Sequence, residues 1–255
     1  MMNIKFLLLL IPLALAVTAC QGTRTSTSDD NGTASDDEQI TKSLNLGDFN
    51  RISSQGTADV VYTTGQTPAV KVTGIKKSVD FVKLNVSNGT LVISERKHDV
   101  SFFNLRKSKR VVVYVTSPQL NGVDIDGTGD FTARNGIQAK NFHVSINGTG
   151  DADFKEVKLQ GDANVEISGT GDVEATKLSA NRLKVETAGT GDVTLRQIVA
   201  SSITAETSGT GDILLDIRKG GDVNLLSSGM GSITVKGNYK NLKKDRSGLG
   251  SIHVK

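Results

Sequence analysis

The sequence contains no tryptophan, one cysteine and three prolines, and only 4% of its residues are aromatic. Each shortage excludes something. A lone cysteine, Cys20, rules out an internal disulfide. With Tyr62, Tyr114 and Tyr239 as the only tyrosines, there are few flat platforms against which sugar rings could stack. His98, His143 and His253 are isolated from one another and read as exposed or edge residues rather than as catalytic bases. Charge of one sign is not in excess either. Removing an N-terminal leader would take away Lys5 alone, leaving 29 of the 30 basic side chains against 27 acidic ones. That balance gives no support to nucleic-acid binding.

The only long apolar run, Phe6 to Val17, is too short for a membrane-spanning helix and is followed by small residues and Cys20. This is the layout of an export signal over residues 1–19, and VTAC resembles the lipobox in which the cysteine is lipidated and becomes the first mature residue. Cys20 is therefore the expected lipid anchor, and the membrane the expected partner through it. Gln21 rather than Asp follows, which resembles signals routed to the outer membrane, facing the periplasm or the outside. Residues 20–45 are polar, with five acidic side chains between Asp29 and Glu38, and are expected to form a disordered tether.

What the sequence has in abundance is glycine, 27 residues, many of them in a repeat. GTGD occurs at Gly127, Gly148, Gly169, Gly189 and Gly209, followed by GMGS at Gly229 and GLGS at Gly248, so the steps are 21, 21, 20, 20, 20 and 19 residues. A fixed period of this length is the signature of a solenoid. Aligned on the first glycine, the units alternate apolar and polar residues, as strands with one buried face do. The inward columns include Phe142, Ala163 and Leu183 six residues before it, Val144, Val165 and Val185 four before, Val173, Val193 and Ile213 four after, and Phe154, Ala175 and Leu195 six after. Each unit reads as a strand, a GTG corner, a second strand and a looser return of about eight residues carrying a further apolar site such as Leu178 or Ile198. Hairpins in a meander would also satisfy the alternation. Identical corners in register favour stacked coils of about 20 residues, an all-β parallel β-helix, because there each residue's neighbour is its own counterpart one coil away.

In such a stack Gly127, Gly129, Gly148, Gly150, Gly169, Gly171, Gly189, Gly191, Gly209 and Gly211 are structural corner residues, supplying either positive φ or close backbone approach. Asp130, Asp151, Asp172, Asp192 and Asp212 form a ladder. Like charges about 5 Å apart repel by roughly 1 kcal/mol per pair in water, so something must offset them. Backbone N–H groups in Asx-type turns are the simpler answer; a row of Ca²⁺ ions is the other, and GTGD lacks the denser GGxGxD spacing of calcium-binding repeats. No metal and no cofactor is expected. The acidic residues recur with the period, as structural parts do, and this argues against catalysis.

The N-terminal part, residues 46–120, is less regular. QGTADVVY, with Gly56, Thr57, Asp59 and Val60, reads as an early corner unit, and Asn88-Gly89 between alternating segments predicts a hairpin with a type I′ turn. This part is expected to cap the regular array of residues 121–255. One stretch escapes the repeat: Phe102, Phe103, Arg106, Lys107, Lys109 and Arg110 could contact anionic headgroups or acidic glycans, or plug the end of the stack.

The order FNRISSQGTADVVYTTG, NGTLVIS and VVVYVTSPQLNGVDIDGTGD, followed by repeated GxGD units, resembles the family called putative auto-transporter adhesin, head GIN domain, over about residues 46 to 255. The resemblance implies a right-handed, single-stranded β-helix and an exported protein of Gram-negative bacteria. It supplies no catalytic residues. The function expected is non-catalytic binding, adhesion or a structural role at the cell envelope, with a glycan or protein ligand; a polysaccharide-active lyase or hydrolase on the same fold is the alternative.

Overall fold

The computed structural model describes residues 38–96 and 110–255. The leader, Cys20, most of the tether, His98, Phe102, Phe103, Arg106, Lys107 and Lys109 lie outside the described residues. The chain begins with strands β1 (Gln39–Leu44), β2 (Arg51–Ser54), β3 (Asp59–Thr64) and β4 (Ala69–Ile75), then one short helix, α1 (Lys76–Phe81). A hairpin of β5 (Val82–Ser87) and β6 (Thr90–Glu95) follows, then β7 (Val112–Ser117). The hairpin turns at Asn88 and Gly89, whose φ angles of 51° and 72° are both positive, as the Asn-Gly dipeptide predicts.

The regular array then runs through β8 (Gly122–Ile125), β9 (Phe131–Ala133), β10 (Ile137–Ala139), β11 (Phe142–Ile146), β12 (Ala152–Phe154), β13 (Val157–Leu159), β14 (Asp162–Ile167) and β15 (Val173–Ala175). From β16 (Leu178–Thr187) onward the strands bend through corners without a break, giving β17 (Val193–Thr207) and β18 (Ile213–Ser227), and the array closes with β19 (Ile233–Gly237), β20 (Asn241–Arg246) and β21 (Ile252–Val254). The result is a parallel β-solenoid of about 7 turns. Pairing is column on column: Val123, Val144, Val165, Val185, Ala205 and Leu225 are successive partners in parallel register. A meander would have paired mirror positions instead. Each coil has three sides. The first carries β8, β11 and β14, and the second carries β9, β12 and β15. The third carries β10, β13 and the start of β16. The third side is where the sequence suggested a loose return; Ile137, Val157, Leu178, Ile198 and Ile217 are buried along it, so it is a packed sheet.

The described residues have one continuous core. Large rings fill it at one end, where Tyr62, Phe131, Phe154 and Phe142 follow one another with centroids 6.3, 5.6 and 5.4 Å apart, and the Tyr62 hydroxyl is satisfied by donating to the Ser117 carbonyl at 3.0 Å. At the other end Lys244 and Arg246 pair with Leu225 and Ser227, so the last coil sets charged side chains in two columns that are buried one coil earlier. Inward charge of this kind discourages another strand from adding to the edge.

Two features depart from expectation. Residues 39–44, assigned to the tether, form β1 antiparallel to β4, with Ile40 and Leu44 packed on the core. The N-terminal levels are also stacked out of chain order: β2 pairs with β6 on one side and β8 on the other, and β3 pairs with β7 and β9 in the same way. The first coil of the chain is thus the second level of the stack.

The corner glycines have a specific cause. None has positive φ; the glycines that do are Gly47, Gly89 and Gly237. Close approach is what they provide. A Cβ added to Gly148 would lie 2.0 Å from the Gly127 carbonyl oxygen, and one on Gly169 would lie 2.0 Å from that of Gly148. The second glycine of each corner is equally confined, with Gly171 facing the Gly150 oxygen at 2.1 Å and Gly191 facing the Gly171 oxygen at 2.0 Å. Ala58 takes this second place in the first unit, and the sequence between Glu95 and Arg110 contains no glycine. Replacing Gly169 or Gly171 with alanine should therefore cost about 2 kcal/mol or more, the scale of forced backbone displacement in a packed site. Ala58→Gly should change stability by no more than about 1 kcal/mol. Urea unfolding of the three variants checks both, and equal effects would contradict the steric account.

Candidate functional site

The corner between the first and second sides carries most of the repeated chemistry. Its backbone is self-satisfied: Thr149, Thr170, Thr190 and Thr210 each donate their N–H to the first glycine of the previous corner, all at 3.0 Å. The threonine side chains point to solvent, and Met230 and Leu249 replace them in the last two corners as exposed apolar groups, 62% and 84% accessible.

The aspartates are tied in next. One oxygen of Asp59 accepts the N–H of Asp130 at 3.1 Å, and Asp130 accepts from Asp151 at 3.1 Å. Asp151 accepts from Asp172 at 2.8 Å, Asp172 from Asp192 at 2.7 Å, Asp192 from Asp212 at 2.7 Å, and Asp212 from Ser232 at 2.7 Å. The charge of each carboxylate is thus offset by the backbone N–H dipole of the next residue in the ladder. The donors come from the next coil, whereas the sequence suggested turns closed within one corner. Side-chain functionality has been spent on holding coils together.

At the head of the ladder the repeat is replaced by two non-repeating side chains. Thr57 has no glycine corner before it, and its N–H and hydroxyl donate to Glu95 Oε1 at 2.8 and 2.7 Å, so a carboxylate stands in for the missing carbonyl. Arg110 bridges Asp59 at 3.2 Å and Asp130 at 3.1 Å, and these two charges raise its already high pKa. Of the stretch suggested as a contact patch, Arg110 is the described member, and it faces the ladder rather than standing free. The sequence offered no sign of either cap, because both depend on which level stacks against β2 and β3.

The first side has a second polar row. Glu166, Glu186 and Glu206 are successive partners beside an open depression of about 210 Å³ that they line with Ser168, Ala188 and Ser208. Lys184 binds Glu186 at 2.7 Å, which raises its pKa, with Glu166 and Glu206 adding to the effect. Nearer the N-terminal levels, Arg51 donates to Asp124 at 3.1 Å. His143 lies 3.9 Å from Asp124 through Nε2, beyond hydrogen-bond reach, and its Nδ1 is 3.2 Å from the Asn164 amide. A second open depression, about 340 Å³, lies beside Leu44, Pro68 and Lys71. No group of three His, Cys, Asp or Glu side chains among the described residues is arranged to hold a metal ion.

A parallel solenoid with stacked glycine corners and shallow, open surfaces defines the class: a repeat scaffold that presents faces rather than an enclosed cleft. The chain belongs to the family described as putative auto-transporter adhesin, head GIN domain, whose model matches residues 48–239. Its fold is shared by the crystal structure of a putative adhesin from Bacteroides fragilis, 25% identical, with 86% of this chain and 97% of that one covered at a TM-score of 0.75. A putative adhesin from Parabacteroides distasonis is 18% identical over 86% and 98% of the two chains, with a TM-score of 0.74. Another protein of that organism, described as a putative lipid binding protein, is 21% identical over 85% and 96%, with a TM-score of 0.69. No curated protein matches the chain.

The ladder makes a sharp prediction. Asp172→Asn keeps an oxygen to accept the Asp192 N–H and removes a charge, so stability should change by less than about 1 kcal/mol, whereas Glu95→Ala, which strands the Thr57 N–H, should cost about 1 kcal/mol. Chelator should leave the melting temperature of the wild type unchanged; a shift of several degrees would instead identify the aspartates as calcium ligands.

Proposed function

We propose that the protein is an envelope lipoprotein, anchored in the outer membrane through lipidated Cys20, whose rigid solenoid binds a ligand without catalysis, in adhesion or as a structural element. The observation that carries this reading is the use made of the repeated polar groups. The corner aspartates, the side chains most plentiful for acid–base work, accept backbone N–H groups coil after coil, and the open depression along the glutamate row offers no enclosure for a reacting bond. Membership of an adhesin family and the likeness to a putative adhesin of B. fragilis point the same way. The export signal and VTAC sequence support the anchor.

Two measurements test the proposal. Metabolic labelling with a fatty acid should mark the wild type and fail to mark Cys20→Ala, and the mutant should leave the membrane fraction. Cells lacking the protein should adhere less to glycan- or protein-coated surfaces or show a weakened envelope; neither change, with full turnover of a polysaccharide by the purified protein, would replace this reading with the enzymatic one.

A further inference from the structure

Charge is segregated around the coil. The corner between the first and second sides is acidic, with the Asp130 to Asp212 ladder and the Glu166, Glu186 and Glu206 row beside it. The opposite side, the third sheet with the corner leading into it, is basic. Arg134, Lys155, Lys177 and Arg196 stand one per coil along that corner, all exposed, and Lys158 and Lys219 point outward from the sheet next to them. Among the described residues, Lys158 pairs with Glu156 at 3.2 Å and Lys236 pairs with Asp216 at 3.4 Å, but no ion pair involves Arg134, Lys155, Lys177 or Arg196. The acidic ladder is offset by backbone donors from within the fold. This basic row has no such internal offset; Arg134, Lys155 and Arg196 each directly follow the buried column of Ala133, Phe154 and Leu195, and Lys177 stands one residue further along its own coil, so each of the four coils presents one cation. The backbone is also unusual there, because Gln197, next to Arg196, is held at φ 47°, a left-handed geometry that a residue with a Cβ rarely adopts, where β17 shifts register against β18.

We infer that this basic side is a docking surface for a linear anionic polysaccharide lying along the axis of the solenoid, each coil meeting the chain's acidic groups with one cation. The inference rests on the binding reading above and names the ligand class. The third sheet has no exposed large apolar group to enter a bilayer; among the described residues those groups are Tyr114 in β7, Met230 and Leu249 at the glycine corners, and Val254 in β21, none of them on that sheet. Its aromatic side chain, Tyr239 beside Gly220, is partly buried against the core, and an extended, charged and hydroxyl-rich polymer suits the row of cations better than nucleic acid, whose bases need open rings to stack on. A second copy would have to offer its acidic ridge, a convex corner against a flat sheet, which buries little area.

The test uses the mature protein and immobilised polygalacturonate and heparin as probes, with neutral dextran, duplex DNA and anionic vesicles alongside. The wild type should bind both acidic glycans and not dextran, and its affinity should fall steeply between about 50 and 200 mM salt. The variant carrying Arg134→Glu, Lys155→Glu, Lys177→Glu and Arg196→Glu, all at exposed positions, should keep the wild-type circular dichroism and lose at least tenfold in affinity. A control with the same change in net charge, Lys71→Glu, Lys77→Glu, Lys83→Glu and Lys243→Glu, should lose less than threefold. An equal loss in the control, tighter binding of DNA or of vesicles than of the glycans, glycan-independent self-association abolished by the first variant, or no glycan binding at the lower salt would each overturn the inference. If cells carrying only the first variant still adhere like wild type while cells lacking the protein do not, the ligand assignment fails and the binding reading stands; if the deletion has no effect, the binding reading itself fails.

Discussion

One contact governs the molecule: a backbone carbonyl of one corner lying about where a Cβ of the next would be. The Gly127 oxygen accepts the Thr149 N–H and at the same time blocks any side chain on Gly148. The hydrogen bond sets the spacing, and the spacing demands glycine. Once the corners are locked in this way, the strands on either side have no freedom of register, and valine must fall on valine down the first side. The aspartate ladder follows from the same constraint, since carboxylates stacked at that pitch need donors, and the nearest donors are the N–H groups of the coil above.

The ends of the stack have to be solved differently. Glu95 supplies an acceptor where no previous glycine exists, and Arg110 neutralises the first two rungs of the acidic ladder. At the far end the buried columns change to Lys244 and Arg246. Each end therefore departs from the repeat in the direction that electrostatics and unpaired backbone groups require. The faces between the ends are free to differ, and it is there, on the third side, that charge has been distributed with no structural demand for it.

The solenoid was legible because its determinants are periodic: Phe142 over Ala163 and Val144 over Val165 are visible once the glycines are aligned, and Asn88-Gly89 signals its turn locally. The reason for the glycines was half legible, as sequence alone leaves positive φ and close approach equivalent. The third sheet was hidden because its strands are short and its corners vary in length, so Leu178 and Ile198 looked like isolated apolar sites. Nor could the caps be read. Glu95 and Thr57 meet only because β6 stacks beside β2, a pairing between segments with no shared motif. The tether was drawn too long for a related reason: Ile40 and Leu44 are too few to announce a strand, and what holds β1 in place is the edge of β4.

The displaced order of the first levels bears on how the chain can be assembled. The β2–β3 coil emerges early, yet both of its neighbours, β6–β7 and β8–β9, are made after it. It cannot serve as a seed on which later coils are wound one by one, since it must wait for partners arriving from two directions. The uniform coils further along carry their neighbours in immediate succession and close far shorter loops. Loop-closure entropy therefore favours nucleation among them over nucleation at the amino-terminal levels.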